Sequence, residues 1–236
     1  MPQKIILFSG AAAVGKTAVL KALLPALHAA HERPCVCKID CLHSSDGTVF
    51  ERLGFPCVTG LSGDICPDHF LVSNLPELWG WADEQACSTL LIETAGLCHR
   101  CSPASKKMIA GCVLDCTSSS KAPAQLGPMV SESDFVVLTK IDMVSQAERE
   151  IILWKLQQLN PTAEVFPVDG LAGYGVEPLA HWLLEQPAAL NYENDLLRHT
   201  MPSGVCSYCI GECRVGSAFQ QGVVGKINFK EAACTR

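Results

Sequence analysis

Short apolar runs alternate with amphipathic segments along most of the chain. The runs are short enough to be strands, and the segments between them carry apolar residues at helical spacing, as in residues 146–159. This alternation predicts a mostly parallel sheet with helices on both faces, which is an α/β fold. The predicted strands begin at residues 5, 34, 57, 89, 110, 135 and 165, and the predicted helices span residues 16–30, 49–53, 69–84, 146–159 and 176–185.

Prolines modify this pattern at three places. Pro25 is expected to kink the first helix or to end its first half, and Pro76 is expected to break the helix that begins near residue 69. After Pro187 the strand–helix alternation stops and a tail rich in Gly and Cys follows, in which residues 191–199 are expected to form one short helix. The sequence therefore predicts a domain over residues 1–186 and a Cys-rich C-terminal extension over residues 187–236.

The first apolar run leads directly into the pattern G-x-x-x-x-G-K-T, and a helical pattern follows it. This context is typical of a P-loop, in which glycines let the backbone N–H groups turn toward a phosphate and the helix N-terminus adds its positive dipole end. Lys16 is expected to reach the β- and γ-phosphates, and the Thr17 hydroxyl is expected to bind Mg²⁺. The predicted loop consists of Gly10, Ala11, Ala12, Ala13, Val14, Gly15, Lys16 and Thr17.

Polar residues end three of the later predicted strands. Asp40 and Glu93 each follow an apolar run, so both carboxylates can reach the Mg²⁺ ion or its waters, although either could instead cap a turn. The T-K-x-D pattern of Thr139, Lys140 and Asp142 favours guanine, because an aspartate can accept hydrogen bonds from the N1–H and the exocyclic amine of that base, whereas adenine offers no matching pair of donors. The sequence therefore predicts GTP and Mg²⁺ as ligands.

Composition limits the remaining functions. The net charge of −6 argues against a general nucleic-acid binder, because no basic excess is available to neutralise phosphates. No apolar run approaches the roughly 20 residues of a membrane span, and the four apolar residues before the P-loop are too few for a signal peptide, so no membrane insertion and a cytoplasmic location are expected. In that reducing compartment, 14 cysteines are more typical of metal ligands, redox groups or buried thiols than of disulfides.

Three groups of cysteines have the spacing of soft-metal ligands. Cys66 and His69 lie three positions apart, as do Cys98 and Cys101, and such sets suit Zn²⁺, Ni²⁺ or an iron–sulfur cluster. The alternative is a structural thiol with a surface histidine for the first pair, and ordinary thiols for the second. The third group lies in the extension, where it favours zinc or a cluster over buried or redox thiols, and it consists of Cys206, Cys209 and Cys213.

Taken together, the order of these motifs resembles the HypB/UreG/CobW metallochaperone GTPases of the SIMIBI class. The specific part of the resemblance is the Cys-Pro-x-His at residues 66–69, which lies between two nucleotide motifs with Asp68 inserted before the histidine. The resemblance covers roughly residues 4–185 and implies a three-layer P-loop NTPase. It also implies that Cys66 and His69 hold a metal, across a dimer interface. By the same resemblance Lys16, Thr17, Asp40 and Glu93 serve the phosphates and Mg²⁺, and Lys140 and Asp142 serve the guanine.

The resemblance implies a GTPase that couples nucleotide state to metal binding or delivery, with a homodimer and a client metalloenzyme or its maturation factors as partners. One alternative is an ATP-driven iron–sulfur protein similar to the nitrogenase iron protein, but that group carries a lysine where this chain has Ala11. Another is a docking GTPase whose tail cysteines hold a structural zinc ion. Nucleotide preference separates the first alternative from the GTPase, and the response of metal affinity to nucleotide separates the second.

Overall fold

The centre of the molecule is a parallel sheet. The structure is a computed structural model that describes residues 2–44, 47–96, 101–199, 211–220, 222 and 224–229. Within these residues the sheet has seven strands in the order β3-β2-β4-β1-β5-β6-β7, and each neighbouring pair is parallel. The predicted α/β architecture is confirmed. The strands are β1 (Lys4–Ser9), β2 (Pro34–Asp40), β3 (Cys57–Leu61), β4 (Thr89–Glu93), β5 (Ile109–Asp115), β6 (Phe135–Thr139) and β7 (Glu164–Pro167).

Helices cover both faces because alternate strand residues are apolar on both sides. Ile5 and Leu7 of β1 point into the same core as α3, whereas Ile6 and Phe8 point into the core shared with α1 and α7. A third apolar cluster lies between α6 and the strands β5 and β6. The helices are α1 (Lys16–Ala29), α2 (Gly47–Arg52), α3 (Pro67–Glu84), α4 (Ala122–Gln125), α5 (Pro128–Ser131), α6 (Gln146–Leu159) and α7 (Val176–Glu185).

Neither interior proline ends its helix, so the break predicted at Pro76 was wrong and Pro25 does not end the first half of α1; the alternative prediction of a kink at Pro25 stays a prediction. Pro25 lies on the exposed side of α1, where water can reach the carbonyl of Lys21 that loses its partner. Pro76 cannot donate to the carbonyl of Val72, but the backbone N–H of Gly216 does so at 2.9 Å. A distant backbone group therefore completes α3 at the position where local sequence predicted a break.

The described part of the C-terminal extension packs on the sheet domain, and residues 191–199 do not form the predicted helix. The Asp195 carboxylate accepts from the backbone N–H of Leu196 at 2.8 Å, and such local bonds compete with helix formation. The backbone instead forms antiparallel bridges from Leu197 to Ser105 and from Leu196 to Arg214. Four residues of the described part of the extension lie in the core beside α3, namely Tyr192, Leu197, Val215 and Ile227. The domain boundary at residue 187 stays a prediction.

The topology brings the functional loops to one edge of the sheet. The P-loop follows β1, and Asp40 and Glu93 end the two strands β2 and β4, of which β4 lies between β2 and β1. Ligands of open parallel sheets bind at the carboxyl ends of the strands, so this edge is where the predicted nucleotide residues converge. Separately, no helix in the described residues is long and apolar enough to cross a membrane.

Candidate functional site

The P-loop adopts a curled backbone that requires its glycines. Gly10 has a φ of 134°, and a Cβ atom there would lie 2.3 Å from the carbonyl oxygen of Val113. Gly15 has a φ of 99° and forms the N-cap of α1. The Lys16 ammonium donates to the carbonyls of Gly10 and Ala11 at 2.9 and 2.6 Å. These bonds place the lysine across the loop, in the position where phosphate oxygens would become its acceptors.

A cavity of about 410 Å³ opens beside the P-loop. The Thr17 hydroxyl donates to Oε1 of Glu93 at 2.8 Å, and Asp40 lies on the cavity wall. Oε2 of Glu93 is buried without a hydrogen-bond partner in the described residues. These oxygens are the hard ligands that Mg²⁺ prefers, so the donor set fits that ion. The lining consists of Ala12, Ala13, Gly15, Lys16, Thr17, Ala18, Lys38, Asp40, Glu93, Thr94 and Ala95.

Lys38 is a site residue that the sequence reasoning missed. Its ammonium bonds to Oε1 of Glu93 at 2.5 Å and to the Thr17 hydroxyl at 3.3 Å, and only 6% of the residue is exposed. The signal was present in the sequence, since a lysine stands between Cys37 and Ile39 in a run predicted to be a buried strand. Lysine is almost never fully buried unless it is paired, so this position implied an anion or carboxylate nearby.

Burial also changes the pKa of the P-loop lysine. Desolvation lowers the pKa of Lys16 to about 8, although the Glu93 carboxylate opposes that shift, and the nearby charge of Lys38 lowers it further. The site therefore holds two ammonium groups and the acidic side chains Glu93 and Asp40 in one cavity. These four side-chain charges balance, so the attraction for a polyanionic ligand such as a triphosphate comes from the local field of the two ammonium groups and not from a net positive charge.

A second cleft, of about 290 Å³, meets the first at Gly15 and Ala18. Asp142 lies in the 3₁₀ turn Ile141–Met143 and lines this cleft together with Lys140. The Thr139 hydroxyl donates to the carbonyl of Val14 at 2.6 Å, which fixes the T-K-x-D segment against the P-loop. The predicted phosphate and guanine residues thus lie in adjoining clefts. The second is lined by Gly15, Ala18, Thr139, Lys140, Asp142, Met143, Asp169, Gly170 and Leu171.

Lys140 is held in place by the strand next to it. Its ammonium forms an ion pair with Asp115 and also lies 3.4 Å from the carbonyl of Ala13. Burial raises the pKa of the Asp115 carboxyl, but hydrogen bonds from Lys140 and Thr117 outweigh burial and hold that pKa below its ordinary value. On the far side of the cleft, Gly170 approaches α1 so closely that a Cβ atom would lie 2.9 Å from the backbone of Ala18. The loop after β7 therefore completes the cleft.

The segment after β4 contacts the P-loop directly. Gly96 has a φ of 73°, and a Cβ atom there would lie 1.8 Å from the carbonyl oxygen of Gly10. A few residues later the thiol of Cys101 donates to the Asp68 carboxylate at 3.6 Å. Gly96 thus contacts the P-loop and Cys101 contacts the first turn of α3, whereas residues 97–100, which join Gly96 to Cys101 along the chain, lie outside the described residues.

Around the first turn of α3, the predicted sulfur and histidine ligands differ in exposure. Cys66 is the N-cap of α3 and is half-buried, whereas His69 is fully buried. Burial lowers the pKa of the His69 imidazole, which favours the neutral form that binds metals. Burial raises the pKa of the Asp68 carboxyl to about 7, although the Cys101 thiol opposes that shift.

The described residues do not complete a metal site by themselves. They contain no group of three or more His, Cys, Asp or Glu side chains in position to hold a metal ion. Cys101 is buried and Cys213 is half-buried, whereas the predicted ligands Cys98, Cys206 and Cys209 lie outside the described residues. The soft-metal ligands therefore stay predictions. The cysteines at positions 35, 37, 57, 87, 112 and 116 are buried, and Cys41 is partly exposed.

Known proteins match the chain in both sequence and structure. A sequence relative from Methanocaldococcus jannaschii, an uncharacterized protein, is 40% identical over 225 residues, which cover 95% of this chain and 96% of the relative. The urease accessory protein UreG 2 of Streptomyces griseus is 29% identical over 184 residues, covering 72% of this chain and 81% of the relative. The crystal structure of HypB from Helicobacter pylori in complex with nickel has a TM-score of 0.62 at 18% identity and covers 79% of this chain and 90% of that chain.

The structural likeness at 18% identity shows the P-loop NTPase fold, and the sequence comparison with families is more specific. The CobW/HypB/UreG nucleotide-binding domain matches residues 4–167, a range that contains the P-loop, Glu93 and the Asp142 turn. The match spans the larger part of the chain and includes both clefts except the loop after β7. The chain therefore belongs to the CobW/HypB/UreG family of nucleotide-binding P-loop proteins.

Proposed function

We propose that this protein is a Mg²⁺-dependent GTPase whose nucleotide state controls the binding or delivery of a soft metal during metalloenzyme assembly. The observation that carries the proposal is the junction of two clefts at Gly15 and Ala18. One cleft offers Lys16, Thr17 and Glu93 to phosphates and a hard cation, and the other offers an aspartate turn to a base. A nucleoside triphosphate is the ligand class that joins these two chemistries.

Guanine is the base that fits the second cleft. Asp142 is exposed within it and can accept from the N1–H and the exocyclic amine of guanine. The Lys140 stem, anchored through its pair with Asp115, lies on the same wall and can cover the plane of the base. Adenine presents an acceptor at N1, so it would leave the Asp142 carboxylate without a matching pair of donors.

Hydrolysis would use the residues of the first cleft. Thr17, Asp40 and Glu93 would hold Mg²⁺, which when bound would neutralise charge on the β- and γ-phosphates. Lys16 would exchange the Gly10 and Ala11 carbonyls for phosphate oxygens and stabilise the charge that develops in the transition state. Asp40, on the cavity wall, would orient the attacking water.

The metal role rests on the continuity between the P-loop and the candidate sulfur ligands. Gly96 touches Gly10, and Cys101 contacts Asp68 two residues from Cys66. A change in the P-loop on γ-phosphate loss would therefore act on the elements that carry these ligands, and by linkage a bound metal would change nucleotide affinity. The cargo would be Ni²⁺, Zn²⁺ or an iron–sulfur cluster, and a homodimer and a client metalloenzyme or its maturation factors would be the partners.

The test is metal analysis of protein purified without oxygen, with and without GTP, together with titrations of GTP and ATP. The proposal predicts that Cys66→Ala removes one nucleotide-sensitive metal site while GTP binding survives, because Cys66 lies outside both nucleotide clefts. Cys213→Ala is the matched control, since that thiol is also half-buried but lies in the extension.

Two results would contradict the metal proposal. If metal is lost only in Cys213→Ala, and if the metal affinity of the wild type does not change with nucleotide, the protein would be a docking GTPase with a structural zinc ion in its tail. Tight ATP binding without GTP binding, in a brown protein, would indicate an ATP-driven iron–sulfur protein.

A further inference from the structure

Lys38 lies opposite Glu93 because of the register of the sheet. The two residues are direct partners in the parallel pairing of β2 with β4. Residues alternate across a strand, so Lys38 shares its face with Val36, which belongs to the core beneath α1. That face carries the first turn of α1, where the Thr17 hydroxyl lies 3.3 Å from the Lys38 ammonium. The strand register therefore places the Lys38 ammonium next to the predicted magnesium ligands Thr17 and Glu93.

The pair is almost completely removed from water. The Lys38 side chain is 7% exposed and the Glu93 side chain 2% exposed. A charge in such a place is retained only when an opposite charge compensates it, because desolvation of an isolated ion is very unfavourable. An apolar residue would suffice at this position if packing were the only requirement, as at Val36. The lysine therefore compensates the Glu93 charge in the absence of a metal ion.

The ammonium also satisfies the same oxygens that Mg²⁺ would require. Oε1 of Glu93 accepts from both Lys38 and Thr17, and the Thr17 oxygen itself lies within reach of Lys38. Mg²⁺ bound through the Thr17 oxygen and Oε1 of Glu93 would take the lone pairs that now accept from the ammonium, and the positive charges of the ion and the lysine would repel each other at that distance. Ion and lysine are therefore alternatives for these two side chains.

We propose that Lys38 is a built-in counter-ion of the magnesium ligands Thr17 and Glu93. Mg²⁺ must displace the Lys38 ammonium from these two side chains, and this competition sets the Mg²⁺ concentration that the protein requires. The inference rests on the proposed assignment of Thr17 and Glu93 to Mg²⁺. Lys38 is a positioning residue in this scheme. It keeps Thr17 and Glu93 together before the ion arrives, and it disfavours Mg²⁺ alone relative to Mg²⁺ that arrives with phosphate oxygens as further ligands.

The experiment compares thermal unfolding of nucleotide-free wild-type protein and Lys38→Met at increasing MgCl₂. Wild type is expected to show no change in Tm with Mg²⁺. Lys38→Met removes the ion-pair partner of the buried Glu93 carboxylate, so its Tm without Mg²⁺ should fall by roughly 6–20 °C and should recover as Mg²⁺ binds. Calorimetric titration of MgCl₂ should show an affinity roughly 5–150-fold higher for Lys38→Met than for wild type.

Lys4→Met is the matched control, because Lys4 is also a buried strand lysine but, within the described residues, it donates to the backbone carbonyls of Leu183 and Leu184 at the end of α7 and not to a carboxylate. It should lose stability without recovery in Mg²⁺. The double variant Lys38→Met/Glu93→Gln removes both charges, so its Tm should not respond to Mg²⁺. If Lys38→Met does not fold, Lys38→Gln keeps a hydrogen-bond donor to Glu93 and is titrated in its place.

The proposal is overturned if Mg²⁺ raises the Tm of wild type and Lys38→Met equally, or if Mg²⁺ affinity is the same in both. These measurements contain no nucleotide, so they can fail while the protein still binds GTP. Conversely, failure of the wild type to bind GTP in the presence of Mg²⁺ would contradict the proposed function and would leave the Mg²⁺ response of Lys38→Met intact. The two failures are therefore distinguishable.

Discussion

Replacing Asp142 by Asn should change the base that the protein selects. The carboxylate lines the 290 Å³ cleft and is the acceptor that we assign to two donors of guanine. A hydrogen bond to a charged group contributes about 1.5–3 kcal/mol, and the lower value applies here because Asp142 is exposed. Two such bonds give about 3 kcal/mol, so GTP affinity should fall roughly a hundredfold.

The side-chain amide introduced by Asp142→Asn offers one donor group and one acceptor, which match the O2 and N1–H of xanthine. The variant should therefore bind XTP more tightly than GTP, whereas wild type should prefer GTP. Calorimetric titration of both nucleotides in saturating Mg²⁺ measures this exchange. Asp169→Asn is the matched control, because Asp169 lines the same cleft but accepts from the backbone N–H groups of Leu171 and Ala172, bonds that an amide oxygen can keep.

A loss of GTP affinity below about threefold, or no gain for XTP, would refute the assignment of Asp142 to the base. An equal loss in Asp169→Asn would also refute it, since that outcome would indicate general damage to the cleft. Wild-type affinity for ATP equal to that for GTP would mean that the T-K-x-D turn does not select guanine in this chain.

Two further predictions concern the P-loop and its neighbours. Gly96→Ala should destabilise the protein by about 3 kcal/mol or more and abolish nucleotide binding, because the new methyl group would collide with the Gly10 carbonyl. The control is Gly63→Ala, which has a similar positive φ in open space and should lower the free energy of unfolding in urea by only about 1–2 kcal/mol. Equal losses of stability in both variants would contradict this reasoning. GTP affinity should fall as the pH rises through about 8, because Lys16 of the nucleotide-free protein has a pKa of about 8 and loses its proton there. The free energy of unfolding of the nucleotide-free protein should rise from pH 8 toward 10.5, because the unfolded chain binds more protons than the folded chain in that range. A GTP affinity that stays constant in titrations between pH 7 and 9.5 would disprove the role assigned to Lys16.

Local sequence was sufficient for the parts of the site that depend on consecutive residues. The P-loop requires a strand, two glycines and a helix in order, and Asp142 follows a strand directly, so neither depends on knowing the strand order. The helices 146–159 and 176–185 were also predicted with the bounds that α6 and α7 have. Each of these features is encoded within a span of fewer than about 20 residues.

The features that were missed all involve partners distant in sequence. Lys38 acquires its role only when β2 pairs with β4, which the order of elements along the chain does not specify. Pro76 looks like a helix breaker until Gly216 supplies the missing donor. Residues 191–199 have helical spacing, but non-local bridges through Leu196 and Leu197 compete successfully with it. Tertiary partners therefore overrode local propensity in each case.

The bond from Gly216 to Val72 also bears on how the chain is synthesised. The ribosome releases α3 long before the C-terminal segment. In the newly made chain the Val72 carbonyl therefore still lacks its bond from Gly216, and Trp79 still lacks its contact with Tyr192, whose ring centroid lies 5.1 Å from that of Trp79 in the folded protein. Every strand and both nucleotide clefts can form during that interval. The apolar side of α3 that packs against the extension is consequently covered late in synthesis. Nascent chains stopped before residue 216 should therefore expose this side of α3 to chaperones and proteases.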